Sequence, residues 1–113
     1  MNMDINVISN NQVKVTFNGR LDAPAVDRLE TRFVATIVPA SRRAMVDLSQ
    51  VDFIGSLGVR MLISAARSAA RNGGRLILFS PTEAVREVFE HVSLADIIPV
   101  VDTEADALAA LNA

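Results

Sequence analysis

Two short, almost wholly apolar segments, residues 44–48 and 76–79, constrain the fold more than any other feature of this sequence. Runs of this length and composition are typical of strands covered on both faces, which occur in parallel sheets flanked by helices. Between them, a helix is predicted to begin at Ser56 and to end at the Asn-Gly-Gly break at 72–74. A strand–helix–strand unit of this kind predicts an α/β fold whose parallel strands are joined by right-handed crossovers.

The N-terminal segments add a hairpin and a helix to this unit. Apolar and polar residues alternate along 5–8 and 13–17, with an Asn-Asn pair between the two runs, which predicts a β-hairpin. Pro24 opens an amphipathic segment that is predicted to be helical and to stop near Pro39. The sheet is therefore expected to be mixed, with an antiparallel hairpin first and parallel strands after it.

The C-terminal third is predicted to contain two more helices and a last strand. Ser80, Pro81 and Glu83 have the spacing of an N-cap, a first helical residue and a capping-box partner. A strand at 97–101 contains a proline and is therefore expected at a sheet edge. Thr103 is expected to cap a short final helix. The whole prediction is one α/β domain, residues 1–113, with about four α-helices.

Composition bounds the size and the chemistry of this domain. With 113 residues, 50% of them hydrophobic and 21% charged, the chain is expected to form one compact soluble domain. The sequence has no cysteine, which excludes disulfides, iron–sulfur clusters and thiol nucleophiles. Neither a secretory signal nor an apolar run of about 20 residues is found, so we expect a cytoplasmic protein without membrane insertion.

Catalysis and direct nucleic-acid binding are both disfavoured. The formal net charge is -2, and Tyr and Trp are absent, so phosphate neutralisation and base stacking lack their usual residues. A serine hydrolase needs a base, but the one histidine, His91, lies far along the chain from Ser56, and no nucleophile-elbow motif or Walker-type loop is present. Asp22 and Asp52 lie on predicted loops, where bonds to helix-start amides explain them better than a metal does. We therefore expect no enzyme and no cofactor.

The most informative segment is residues 46–62, in which a strand, a loop and a helix beginning at Ser56 follow one another. The first turn of a helix has unpaired amides and partial positive charge, so Ser56 is expected to be the N-cap. A phosphate on its hydroxyl would add about -1.5 to -2 charges there without unfolding the helix. Residue type and position alone favour a purely structural cap.

A projection of this helix at about 100° per residue predicts a mostly basic stripe on its solvent side. The stripe consists of Ser56, Arg60, Ser64, Arg67 and Arg71. Val59 and Ile63 flank it as an apolar shoulder. Arginines and a few apolar anchors commonly carry the binding energy of interfaces, so this surface suits a protein partner better than a metabolite.

The residues at 47–58, Asp-Leu-Ser-Gln-Val-Asp-Phe-Ile-Gly-Ser-Leu-Gly, resemble the STAS domain of bacterial anti-sigma factor antagonists. Gly-Arg-Leu-Asp at 19–22, Gly-Gly-Arg-Leu at 73–76 and Ser-Pro at 80–81 extend the resemblance over nearly the whole chain. It implies a STAS fold and a partner switch: the unphosphorylated protein binds an anti-sigma factor, often also a serine kinase, and so frees the sigma factor. Phosphorylation of the first motif serine, here Ser56, abolishes that binding, and a phosphatase restores it.

The resemblance and the stripe together give an expected partner-binding set around Ser56: Asp22, Gly55, Leu57, Gly58, Val59, Arg60, Ile63 and Arg67. Three of these depart from the family pattern, which has Asp at Gly55, Ser at Leu57 and Gly at Arg60. The missing carboxylate leaves a second function open, a STAS adaptor subunit of a stress-signalling or phospholipid-transport complex in which Ser56 is never phosphorylated. The oligomeric state is left open as well.

Overall fold

The computed structural model describes residues 2–113, which form a five-stranded sheet and four α-helices. In chain order the elements are β1 (Asn2–Ser9), β2 (Gln12–Leu21), α1 (Ala23–Ile37), β3 (Arg43–Ile54), α2 (Ser56–Arg71), β4 (Arg75–Phe79), α3 (Glu83–His91), a 3-10 turn (Leu94–Asp96), β5 (Val100–Val101) and α4 (Glu104–Leu111). The predicted single α/β domain with four helices is thus confirmed in its element order.

The strands lie in the order β1-β2-β3-β4-β5. The β1–β2 pair is antiparallel and the other three pairs are parallel, which confirms the predicted mixed sheet. Helices α1, α2 and α3 share one large hydrophobic cluster with one face of the sheet, whereas α4 packs on the other face. The crossover helices α1, α2 and α3 lie on the same side of the sheet, and the strand order advances in one direction. The three crossovers therefore have the same handedness.

The core follows from the two apolar segments at 44–48 and 76–79. Their alternate residues face opposite layers: Val46 and Leu78 join the cluster beneath α1–α3, whereas Ile77 packs with residues of α4. No polar or charged side chain is buried anywhere in residues 2–113. The fold is therefore held by apolar packing, and polar side chains are left for the surface.

Strand β3 is longer than the sequence predicts. It continues six residues past the predicted end at Leu48, through a segment that was expected to be a loop. The reason is non-local: β2 also runs on to Leu21, and it supplies ladder partners such as Arg20 for Phe53 and Leu21 for Ile54. Asp52 consequently lies on a strand, so its predicted place on a loop is wrong.

Helix α3 begins later than its predicted capping box. Its N-cap is Thr82, whose hydroxyl accepts from the amide of Val85 and donates to the carbonyl of Val51 at 2.8 Å. Ser80 has a left-handed φ of 53°, and its hydroxyl donates to the carbonyl of Asp102 instead. The predicted roles of Ser80 as cap and Pro81 as first helical residue are therefore wrong, because a contact with a distant strand selects Thr82.

The end of the chain agrees better with the prediction. Thr103 caps α4 through the amide of Asp106, as expected. The last strand is confined to Val100–Val101 and does lie at the sheet edge, although the prediction began it at residue 97. Helix α4 is anchored at its end by Arg43 and Arg75, which donate to carbonyl oxygens of its last turn at 2.7 Å each.

The carboxyl ends of β2 and β3 form one rim of the sheet, and this rim positions the site. At that rim Asn2, at the start of β1, pairs with Asn18 on β2. The end of α4 lies at the opposite rim, where Asn112 accepts from the side-chain amide of Gln12. Over residues 2–113, none of the helices combines the length and the apolarity needed to cross a membrane.

Candidate docking site around Ser56

Helix α2 begins where β3 ends, and Gly55 makes the junction. The amide of Gly55 donates to the carbonyl of Leu21, and its own carbonyl accepts from Val59, both at 3.1 Å. Gly55 has extended backbone angles and is the N-cap, so Ser56 is the first residue inside the helix. The predicted N-cap role of Ser56 is therefore wrong by one position. Its hydroxyl is not used as a cap.

The Ser56 side chain is exposed, and the hydrogen bonds within residues 2–113 include none to its hydroxyl. Gly55 has no side chain to occupy the amides of the first helical turn. These amides carry the positive end of the helix dipole, so negative charge on the Ser56 oxygen is electrostatically tolerated here. The structure thus offers a hydroxyl that is free to react and is not needed to hold the helix.

Ser56 lies in a shallow depression of about 350 Å³ at the rim. The depression is lined by Arg20, Asp22, Ala23, Pro24, Phe53, Gly55, Ser56 and Leu57. Two large apolar side chains flank the serine and are notably exposed, Phe53 at 38% and Leu57 at 42%. A hydroxyl between exposed apolar side chains has the chemistry of a docking surface, because such groups gain by being covered.

Part of the depression is built by Arg20 near the end of β2, Asp22 directly after β2, and Phe53 near the end of β3. The guanidinium carbon of Arg20 lies 4.2 Å from the centre of the Phe53 ring, a cation–π contact. The Nε of Arg20 is 3.5 Å from a carboxylate oxygen of Asp22. The other oxygen of Asp22 accepts from the amide of Ala25, so Asp22 caps α1 as the sequence suggested.

Sequence reasoning missed Phe53 and did not single out Arg20 from its motif. The signal that could have found them is that parallel strands end at the same rim, so the last residues of β2 and β3 must meet. Their pairing in register, Arg20 opposite Phe53, is what places the guanidinium over the ring. The predicted set of site residues accordingly lacks one aromatic and one cationic member of the depression.

Two residues of the expected partner-binding set face the core. Val59 is only 7% exposed, and Gly58 is buried. A β-carbon on Gly58 would lie 2.8 Å from the carbonyl oxygen of Leu21 and 2.9 Å from Cγ1 of Ile54. Gly58 therefore lets the first turn of α2 approach the strands, and Val59 anchors that turn. Both residues thus have a packing role, and their contact with a partner stays a prediction.

The basic stripe of α2 is present as predicted. Its residues Arg60, Ser64, Arg67 and Arg71 are exposed, and with the half-buried Ile63 they line a second depression of about 310 Å³. Within residues 2–113, none of the three arginines forms an ion pair with a carboxylate. The stripe continues from the Ser56 depression along the helix.

The other residues that the sequence analysis considered, His91 and Asp52, lie outside this site. His91 is the exposed last residue of α3 and lines neither depression. Asp52 is exposed on β3, and no hydrogen bond joins it to the first turn of α2, so its expected capping role there is wrong. In the part of the chain that the structure describes, no group of three or more acidic or histidine side chains could hold a metal ion.

The fold and the rim define a small α/β domain that presents a serine at the start of a surface helix. The chain belongs to the STAS family: the model of the STAS domain matches residues 2–107. BtrV of Bordetella bronchiseptica, provisionally named an anti-sigma factor antagonist, is 32% identical over 94 residues, covering 83% of this chain and 81% of BtrV.

Two solved structures of SpoIIAA share the fold. The anti-sigma factor antagonist SpoIIAA in its unphosphorylated form is 22% identical, with a TM-score of 0.81 over 98% of this chain and 96% of that one. The Bacillus cell fate determinant SpoIIAA in its phosphorylated form is also 22% identical, with a TM-score of 0.70 over 96% and 97%. At this identity the likeness is evidence of a common fold alone.

Proposed function

We propose that this protein is an anti-sigma factor antagonist controlled by phosphorylation of Ser56. In its unphosphorylated form it docks an anti-sigma factor that is also a serine kinase. Phosphorylation of Ser56 by that partner ends the docking, and a phosphoserine phosphatase restores it. The names of BtrV and of SpoIIAA, which has been described in both phosphorylation states, support this proposal. The observation that carries it is the exposed, unbonded Ser56 hydroxyl in the depression that the exposed side chains of Phe53 and Leu57 also line.

The docking surface that we propose takes exposed and half-buried residues from the two depressions. It contains Asp22, Phe53, Gly55, Ser56, Leu57, Arg60, Ile63 and Arg67. Phe53 and Leu57 supply apolar area at its centre, and the unpaired arginines of α2 supply charge along one side. Interfaces of this composition place apolar anchors in a desolvated middle and use charges to orient the partner.

Phosphorylation is a phosphoryl transfer from ATP in which this chain serves only as the acceptor. The Ser56 Oγ attacks the γ-phosphorus of the kinase's ATP, the bond from that phosphorus to the bridging oxygen breaks, ADP leaves, and the hydroxyl proton is released. No residue of this chain needs to act as a base, so the protein itself is proposed not to be an enzyme and to need no cofactor. The exposure of Ser56 gives the kinase access to the oxygen.

The phosphate blocks docking because a bound partner would have to strip water from its charge. It places about -1.5 to -2 charges between two apolar side chains that a bound partner covers. Burying an ionised group without a compensating partner is costly, and the apolar centre of the interface offers none. The helix itself is not disturbed, because negative charge at its first residue is favourable. The switch therefore acts on the surface and leaves the fold intact.

Gly55, where the family has an aspartate, is compatible with this proposal. A β-carbon there would make ordinary contact with the Phe53 ring, at 3.5 Å from its Cε2 atom, so the position is not closed to a side chain. Without the carboxylate, the amides of the first turn are free, and the phosphate meets no fixed negative charge from residue 55. The departure changes the charge around Ser56 but leaves its accessibility unchanged.

Phosphate occupancy in living cells tests the proposal. The protein is recovered from its native cells during growth and after stress, with the proteins that copurify with it, and the α2 peptide is analysed by mass spectrometry. We expect phosphate on Ser56 that changes between conditions, none on Ser64, and copurification with a small histidine-kinase-like anti-sigma factor in a cytoplasmic fraction. Absence of phosphate in every condition, with copurification of a membrane ATPase or a large assembly, would overturn it in favour of the adaptor function.

A further inference from the structure

Arg20 shares the depression of Ser56 and is the arginine that lines it. Two contacts hold its guanidinium, one with the face of the Phe53 ring and one with a single oxygen of Asp22. Its side chain is nevertheless 60% exposed. Exposed ion pairs and cation–π contacts of this kind are weak, so the guanidinium can change partners at small cost.

We propose that Arg20 is the intramolecular counter-ion of phosphorylated Ser56. The inference rests on the proposed function in taking Ser56 as the phosphorylated residue. A phosphate carries more charge than a carboxylate and offers oxygens that match the planar fork of a guanidinium in a bidentate pair. Asp22 contributes only one oxygen at 3.5 Å, and its other oxygen remains bound to the amide of Ala25. The phosphate therefore replaces Asp22 as the ionic partner of Arg20.

The absence of a side chain at Gly55 is part of this arrangement. A carboxylate there would extend from a β-carbon that contacts the edge of the Phe53 ring, the same ring that carries Arg20. It would compete with the phosphate for the guanidinium. In this chain that competitor is missing, so the arginine at the end of β2 is left for the modified serine.

Arg60 is the competing candidate, because it lies one helical turn after Ser56. The geometry favours Arg20. Arg20 lines the same depression as Ser56, whereas Arg60 lines the next depression along α2, with Ile63 and Arg67. Transfer of Arg20 to the phosphate also uncovers the Phe53 ring. The phosphorylated surface then differs from the free one by a moved cation as well as by an added anion.

The test places phosphoserine at position 56 during translation and follows its phosphorus resonance by NMR as a function of pH. The second pKa of phosphoserine is ordinarily about 6. A nearby guanidinium favours the dianion, so we expect this pKa to be lower with Arg20 than in Arg20→Ala by about half a unit or more. Arg20→Lys keeps the charge without the fork and should restore part of the shift.

Two further variants make the result specific. Arg67→Ala removes the same charge from an exposed arginine outside the depression and should leave the pKa of the phosphoserine within about 0.2 units, since solvent screens it. Arg60→Ala should have a smaller effect than Arg20→Ala. An unchanged pKa in Arg20→Ala, or a larger shift in Arg60→Ala, would overturn the proposal.

The ring of Phe53 provides a second readout. In the unphosphorylated protein the guanidinium carbon of Arg20 lies 4.2 Å from the ring centre, so the protons at that end of the side chain should show a ring-current shift, and phosphorylation should remove it. Retention of the shift in the phosphoprotein would also contradict the proposal. Because the phosphate is installed during translation, these measurements test whether Arg20 pairs with phosphorylated Ser56 even if cells never phosphorylate that serine. A lack of phosphorylation in cells would overturn the proposed function but not this ion pair.

Discussion

Gly58 and Leu21 stand so close that a side chain cannot be added between them: a β-carbon on Gly58 would lie 2.8 Å from the carbonyl oxygen of Leu21. The first turn of α2 is pressed against the ends of β2 and β3 through this contact. The position of Ser56 at the rim depends on it, because any displacement of that turn moves the serine with it.

Gly58→Ala is therefore expected to destabilise the protein. The added methyl group must push α2 away from backbone atoms, which costs about 1–3 kcal/mol of unfolding free energy and outweighs the helix-propensity gain of about 1 kcal/mol. Urea denaturation followed by far-UV circular dichroism measures it, since the chain has no Trp or Tyr for fluorescence. Gly55→Ala is the matched control and should change the unfolding free energy much less. Equal losses in the two variants would contradict the close contact.

Gly55→Asp tests the departure from the family pattern. The new side chain makes only an ordinary contact with Phe53, and residue 55 is the N-cap, where aspartate is preferred. We expect the same urea titration to give a gain of a few tenths of a kcal/mol over the glycine. Arg20→Ala in the same background should leave most of that gain in place, because an exposed ion pair between the new carboxylate and Arg20 contributes little. A loss of stability above about 1 kcal/mol would show that the site excludes a carboxylate.

Ser56→Ala distinguishes the first helical position from the N-cap. Loss of an N-cap hydroxyl costs about 1 kcal/mol, but Ser56 lies one residue further on and makes no capping bond. We expect a change in unfolding free energy below about 0.5 kcal/mol for Ser56→Ala. Ser56→Asp should gain about 0.3–1 kcal/mol from the helix dipole. A cost near 1 kcal/mol for the alanine variant would restore the capping role.

The same serine variants separate stability from docking. Ser56→Ala should bind the anti-sigma factor that copurifies with the protein as well as the unaltered chain does. Ser56→Asp should bind it at least about tenfold more weakly, equivalent to about 1.4 kcal/mol, as measured by titration calorimetry. Ser41→Asp is the control, because Ser41 is exposed, lies outside both depressions and has a positive φ that aspartate tolerates. Equal affinities of all three variants would remove Ser56 from the interface.

Phe53→Ala is expected to weaken docking of the same anti-sigma factor by about tenfold or more, since exposed aromatic side chains at the centre of an interface commonly carry over 1 kcal/mol. Leu108→Ala is the matched control for this variant. Leu108 has the same exposed fraction, 38%, but lies on α4, on the other face of the sheet. Its truncation should leave the affinity unchanged. If both variants, or neither, lose affinity in calorimetry, the rim is not the docking surface.

Thr82→Ala tests the corrected start of α3. Its hydroxyl caps the helix and donates to the carbonyl of Val51 on β3, so its removal should cost about 1–2 kcal/mol. Thr36→Ala removes the same atoms from a hydroxyl that bonds only within its own helix, and it should cost less. Urea denaturation of the two variants, compared with Ser80→Ala, shows which hydroxyl holds the helix start. The largest loss in Ser80→Ala would reinstate the original capping box.

The elements that the sequence predicted well are those fixed by local signals. The final helix begins at its Thr103 cap, and β4 begins and ends within one residue of its apolar run. Helix α2 begins at Ser56 as predicted, but its N-cap and the start of α3 were misplaced because strand contacts decide them. Ser56 is displaced from the cap by the extension of β3 along β2, and Thr82 is preferred to Ser80 by a bond to Val51.

The candidate site shows the same division. Ser56 could be found from the chain alone, because residues 47–58 resemble the STAS motif, whereas its residue type and position by themselves favour a structural cap. The cation–π contact of Arg20 and Phe53 could not, because it depends on the register of two parallel strands that are 33 residues apart in sequence. The buried faces of Gly58 and Val59 likewise follow from how closely α2 packs on the sheet.

The two ends of the described chain lie at opposite rims of the sheet, and this decides where a fusion partner or tag can be attached. Asn2 pairs with Asn18, two residues before Arg20, so a bulky reporter joined ahead of β1 would stand at the rim that carries Ser56. The last turn of α4 is held at the far rim by Arg43 and Arg75. Fluorescent proteins, affinity handles and surface-immobilisation tags therefore belong after α4, where they leave Ser56 and the depression around it uncovered.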